Sequence, residues 1–152
     1  MVTTTGLCVL FLLNFGGTAD HTPLSLQYWV VEGAVEGRET PAFDAGAQAV
    51  RDALEDLRFD TWHTVRRQTV RLAAGTDTRV PMKDRYTLIL RYVDRDDDNR
   101  ARVAVAVELA PKDPEEKPQK ILQTTLLLSR EKARIGGLRT QTGELVLVFA
   151  AQ

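Results

Sequence analysis

The sequence predicts an α+β fold in the order β-α-β-β-β-β-β, with one helix packed on a curled, mainly antiparallel sheet. Three observations predict it. Only residues 44–58 carry a convincing apolar stripe at helical spacing. From Phe59 onward the apolar residues recur with a period of two, and short polar loops separate the alternating runs. With 152 residues the chain fits one domain, placed at 20–152.

The first strand is expected over Leu24–Val35, with Leu24, Leu26, Tyr28 and Val30 on one face. Gly33, Gly37 and Pro41 then mark a loop. Asp44 can cap a helix running to about Arg58, in which Val50, Ala53, Leu54 and Leu57 form the stripe and Arg51 pairs with Glu55. In the next strand Trp62, Thr64, Val70 and Leu72 would share a face, but Arg66 and Gln68 fall on it too. A bulge or break is therefore expected near Arg66 and Arg67. Gly75–Arg79 reads as a turn. Strands at 86–93, 102–109, 121–130 and 145–151 then read as an antiparallel meander, the last entered through a Gly-Gly loop at Gly136-Gly137.

The final strand is apolar on both faces, with Leu145, Leu147 and Phe149 on one and Val146, Val148 and Ala150 on the other. A sheet wetted on one side shows a polar second face. One helix of about four turns covers only part of one face, so the surplus either curls over itself or meets another subunit.

Residues 1–19 are expected to be a signal peptide. The apolar run Leu7–Leu13 is too short to cross a bilayer yet suits the hydrophobic segment of a secretory signal, and Gly17-Thr18-Ala19 gives a small-x-small cleavage pattern. The expected location is therefore exported, in the periplasm or cell envelope. Cleavage after Ala19 would remove Cys8, the only cysteine, which excludes an intramolecular disulfide framework and a Cys-based zinc site.

Charge excludes another class. Lys plus Arg number 20 against 21 Asp plus Glu, so no cation surplus exists to bind nucleic acid by counterion release. Asp94, Asp96 and Asp98 alternate as calcium-loop ligands do, but Asn99 stands where the sharp-turn Gly belongs and Val105 where the bidentate Glu would come. The cluster reads as a solvated hairpin tip. Ser25 and Ser129, the only serines, lie outside any nucleophile elbow, and Gly33–Gly37 lacks the spacing and the Lys of a phosphate loop. No catalytic residue, cofactor or metal ligand is expected.

The run from Thr124 to Val148, TTLLLSREKARIGGLRTQTGELVLV, joins a strand, a polar link, Ile-Gly-Gly-Leu and a strand entered through Gly-Glu-Leu. It resembles a group of uncharacterised exported bacterial α+β proteins of similar length that close with a Gly-Gly turn. Phe59 and Trp62 match that group's aromatic pair after the helix, and Gln68–Leu72 its following strand. The likeness covers most of residues 24–151 and implies a fold, not an activity. Ile135–Leu138 is also similar to a hairpin of secretin outer-membrane channels.

These readings lead to a non-catalytic exported domain that acts by protein–protein contact or as an accessory subunit of an envelope assembly. The candidate contact residues are Val146, Val148, Ile89, Ala104 and Ala106 on surplus apolar faces. His63, Arg67 and Arg71 are expected to share a strand face as an anion or membrane-surface patch. A protein partner or homo-oligomer is expected, with no nucleic acid and no transmembrane span in the mature chain. The alternative is a small-molecule or glycan cup on the concave sheet, lined by Tyr28, Trp29, Trp62, Tyr86 and Tyr92.

Overall fold

A computed structural model describes residues 22–152; the expected signal peptide lies outside the described residues. The chain runs β1 (Leu24–Ala34), β2 (Ala42–Phe43), α1 (Ala45–Gln48), α2 (Arg51–Leu54), β3 (Thr61–Leu72), β4 (Asp77–Pro81), β5 (Tyr86–Arg95), β6 (Ala101–Leu109), β7 (Gln119–Leu128), β8 (Ala133–Arg139) and β9 (Glu144–Ala151). The strands form two sheets, ordered β2-β3-β1-β9-β8 and β4-β5-β6-β7. The molecule is β-rich, so the α+β expectation holds only loosely, and the sheet is not curled.

The second sheet explains what the sequence left open. Leu26, Tyr28, Val30, Leu147 and Phe149 from the first sheet pack in one core with Leu88, Leu90, Val103, Val105 and Val107 from the second. Each sheet thus shields the apolar side of the other, in the sandwich manner. On the opposite side of the first sheet, Trp29, Val31, Trp62, Val146 and Val148 meet Ala47, Val50 and Leu54 of the helical segment. Both faces of β9 are therefore buried, and neither needs a partner molecule. The indole N–H groups of Trp29 and Trp62 are buried without an acceptor among the described residues, a local cost of about 1–3 kcal/mol each that the surrounding packing offsets.

Several expectations are corrected in detail. The helix is two four-residue turns separated at Ala49 and Val50, although Asp44 caps it as expected, accepting from Ala47 N at 2.9 Å. Asp44 also ties it to β3, accepting from Thr64 N at 2.6 Å and Thr64 Oγ1 at 2.7 Å. Arg51 and Glu55 pair at 3.7 Å. The segment read as a turn at Gly75–Arg79 contains most of β4, an edge strand whose charges and proline disguise its pairing with β5. The meander stops at β7: the chain then crosses to the first sheet, where β9 pairs with β1 and β8.

Gly136-Gly137 is not a hairpin loop but a bulge inside β8, opposite Val146, with Gly137 at φ 98°. The turn between β8 and β9 lies at Thr140–Gly143, and Gly143 passes so close to β1 that a Cβ there would collide with Gly33 O.

Candidate functional site

The expected contact residues separate into three groups. Ile89, Ala104 and Ala106 come together on the outer face of the four-stranded sheet, on the side away from the core. The register forms two ladders across it, Arg79–Ile89–Ala106–Gln123 and Asp77–Arg91–Ala104–Thr125. Directly opposed residues share a face of the sheet. The two alanines leave a trough of 340 Å³, floored by Ile89, Ala104 and Ala106 and walled by Arg79, Arg91, Glu108, Lys120 and Gln123.

Ion pairs fix the walls. Arg79 Nη2 pairs with Glu108 Oε2, and Arg91 Nε donates to Asp77 Oδ1 at 2.7 Å. Because the arginines are held by neighbours on the same sheet, the trough presents the apolar floor between two stiffened polar rims. Its lining holds no serine, threonine, cysteine or histidine; the ionisable groups are Asp77, Arg79, Arg91, Glu108 and Lys120. The arrangement can accept an extended or knob-like apolar group.

Val146 and Val148 do not join this surface. They are 1% and 0% exposed beneath the helical segment, so the expectation that they contact a partner is overturned. That segment is fastened over them by Lys132, just before β8, and Arg134 within it: Lys132 Nζ donates to Ala49 O at 3.2 Å and Asp52 Oδ1 at 3.0 Å, while Arg134 Nη1 donates to Ala53 O at 2.7 Å and pairs with Asp56.

The basic group on β3 is divided by the expected bulge, which falls at Val65. The register runs Val30–Arg66 and then Val31–Thr64, leaving Val65 as the extra residue. Arg67 and Arg71, opposite Trp29 and Ser25, lie on the outer side, and the Arg67 guanidinium sits 5.7 Å from the Trp29 ring centre. His63 is opposite Glu32, on the other face. The expectation that His63, Arg67 and Arg71 share a face is therefore overturned, because one inserted residue reverses the alternation.

The aromatic cup has no counterpart. Trp29 and Trp62 belong to the core under the helical segment, Tyr28 and Tyr92 are buried between the sheets, and Tyr86 packs at that core's margin. Phe59 meets Trp62 edge-on at 5.4 Å, closing that cluster further.

At the aspartate-rich tip, Asp96 Oδ1 accepts from Asp98 N at 3.1 Å and Arg100 N at 2.8 Å, and Asp96 Oδ2 accepts from Arg100 Nε at 2.7 Å. Asp94 pairs with Arg102 at 3.0 Å. These oxygens serve the turn, and no cluster of three or more His, Cys, Asp or Glu among the described residues could hold a metal ion.

The most connected buried charge escaped the sequence reading. Glu32, 6% exposed on β1, accepts from Lys83 Nζ at 3.0 Å, Thr140 Oγ1 at 2.8 Å and Thr142 Oγ1 at 2.8 Å. It joins β1 to the β4–β5 and β8–β9 turns, and thus one sheet to the other. Burial pushes its carboxyl pKa up, but the donors and the Lys83 charge outweigh that and hold it below the usual carboxylate range. A carboxylate kept ionised this way is a tether, not a proton donor. Its one sequence signal is a lone acid inside the apolar run Val30-Val31-Glu32-Gly33.

Lys83 is carried by a turn in which Asp84 and Arg85 take φ values of 56° and 67°. Asp84 Oδ2 accepts from Gln141 N at 2.8 Å, which binds the two turns together. No helix among the described residues is long and apolar enough to cross a membrane. No family model, curated protein or solved structure matches the chain.

Proposed function

We propose that the protein is a non-catalytic, exported envelope domain that acts by protein–protein contact through the trough on the outer face of its four-stranded sheet. One observation carries this reading: Ile89, Ala104 and Ala106 form a small-residue floor, held open between paired charges, on the one broad sheet face that no described element covers. Small side chains there leave room for a partner's side chains, and the paired rims supply polar edges, the division of labour seen in protein interfaces. The signal-like start supports export, and the pairing of Glu108 with Arg79 and of Asp77 with Arg91 commits those carboxylates to the rims, which supports contact.

The test fills the trough without disturbing the core. Ala106 is half-buried on the outer face, so Ala106→Arg should keep the wild-type circular dichroism. Cross-linking in envelope fractions should yield a discrete adduct with the wild type that Ala106→Arg abolishes. An adduct of equal yield from both proteins refutes the trough as the contact surface.

A further inference from the structure

We infer that β7 is a pairing edge for a second copy of the chain, joining two four-stranded sheets into one continuous eight-stranded sheet. The inference stands apart from the trough reading, since it concerns the backbone edge and not the sheet face.

The four sheet edges differ in how they are protected. Exposed edges present unpaired N–H and C=O groups, and proteins blunt them with charge, proline, bulges or brevity. Strand β4 is five residues long and carries Asp77, Arg79 and Pro81. Strand β8 has its Gly136-Gly137 bulge and the charges of Arg134 and Arg139. The free length of β3 has the Val65 bulge and three arginines, and β2 pairs with its start. Strand β7 has ten residues, no glycine or proline, and one charge, Lys120. Its bulge at Ile121 lies near its start, so Leu122–Leu128 form an unbroken edge.

The side chains select the occupant. Ile121 and Leu127 are 40% and 47% exposed, and Leu122 and Leu126 are only half-covered by the core. An antiparallel pair of β7 strands about a twofold axis at Thr124 sets Leu122 against the second copy's Leu126 on the inner side. On the outer side it sets Gln123 against the second copy's Thr125 and brings the exposed Leu127 to the second copy's bulge at Ile121. Leu122 and Leu126, the incompletely covered residues of the inner side, then meet each other. The two Lys120 side chains lie at opposite ends of the seam, so no like charges face each other. An isologous contact of this kind closes at two copies.

Sedimentation equilibrium of the full chain should show a concentration-dependent species of twice the monomer mass. Gln123→Lys with Thr125→Lys, both at exposed positions, places like charges opposite each other twice and should weaken association at least about tenfold. Gln123→Glu with Thr125→Lys places opposite charges there and should restore it. With Cys8→Ser, Thr124→Cys should form an oxidised dimer, because directly opposed strand residues lie within disulfide reach. Ala106→Arg should leave the dimer intact, separating this seam from the trough. The proposal is overturned if the wild type stays a single chain up to about 100 µM, within the µM–mM range in which exposed edges associate, if the like-charge pair leaves association unchanged, or if the opposite-charge pair dissociates as fully as the like-charge pair.

Discussion

Removing the Glu32 carboxylate tests the main electrostatic feature of the fold. Three donors converge on it, one of them the Lys83 ammonium at 2.9 Å. Hydrogen bonds to a charged group contribute about 1.5–3 kcal/mol each, less what the freed partners regain from water. Lys83 is 36% exposed at its side chain and Thr142 is exposed, so both rehydrate in part. Glu32→Ala should therefore cost about 2–4 kcal/mol, and Glu32→Gln, which keeps the shape and one acceptor, about 1–2 kcal/mol. Urea unfolding followed by the fluorescence of buried Trp29 and Trp62 measures both.

The pH dependence supplies a second reading of the same contact. The Glu32 pKa is lower folded than unfolded, so its contribution is fully present above the unfolded value, near 4.5, and is lost as pH falls through the folded value. The stability gap between wild type and Glu32→Gln should be constant above about pH 5.5 and should narrow below about pH 4.5. A gap under about 0.5 kcal/mol at pH 7, or one that does not narrow in acid, refutes the tether.

Three further outcomes follow from local geometry. Arg85→Gly should stabilise the domain by about 0.5–1 kcal/mol in thermal unfolding, because it releases a bulky residue from φ 67°. Asp44→Ala should cost about 1–2 kcal/mol, since it removes the helix cap and the acceptor for Thr64, and calorimetry reads the loss. Gly143→Ala should lower the melting temperature sharply, because its Cβ would collide with the Gly33 backbone, whereas Gly136→Ala, whose nearest neighbour would be 3.7 Å away, should not.

Six strands were legible because their apolar residues alternate: β1, β3, β5, β6, β7 and β9. Alternation does not identify the partner of each strand, so it puts β9 at the end of a meander instead of beside β1. The same gap misassigned Val146 and Val148. Their side of the strand was read correctly as apolar, but what lies over it depends on where a segment 90 residues upstream folds back. Ile89, Ala104 and Ala106 were recoverable because their register lies within consecutive hairpins. Strand β4 was missed because Asp77, Arg79 and Pro81, which guard an edge, look like a turn. The bulge in β3 could be read from Arg66 and Gln68 landing on an apolar face, but its one-residue placement decided which way His63 points.

The pairing of β1 with β9, from Leu26–Ala151 to Gly33–Glu144, carries a consequence for biogenesis. The central strand of the larger sheet lacks one of its two neighbours until residues more than a hundred positions later have been made. Closing so long a stretch of chain is entropically costly and slow. A nascent polypeptide of this sequence therefore spends most of its synthesis unable to complete its larger sheet.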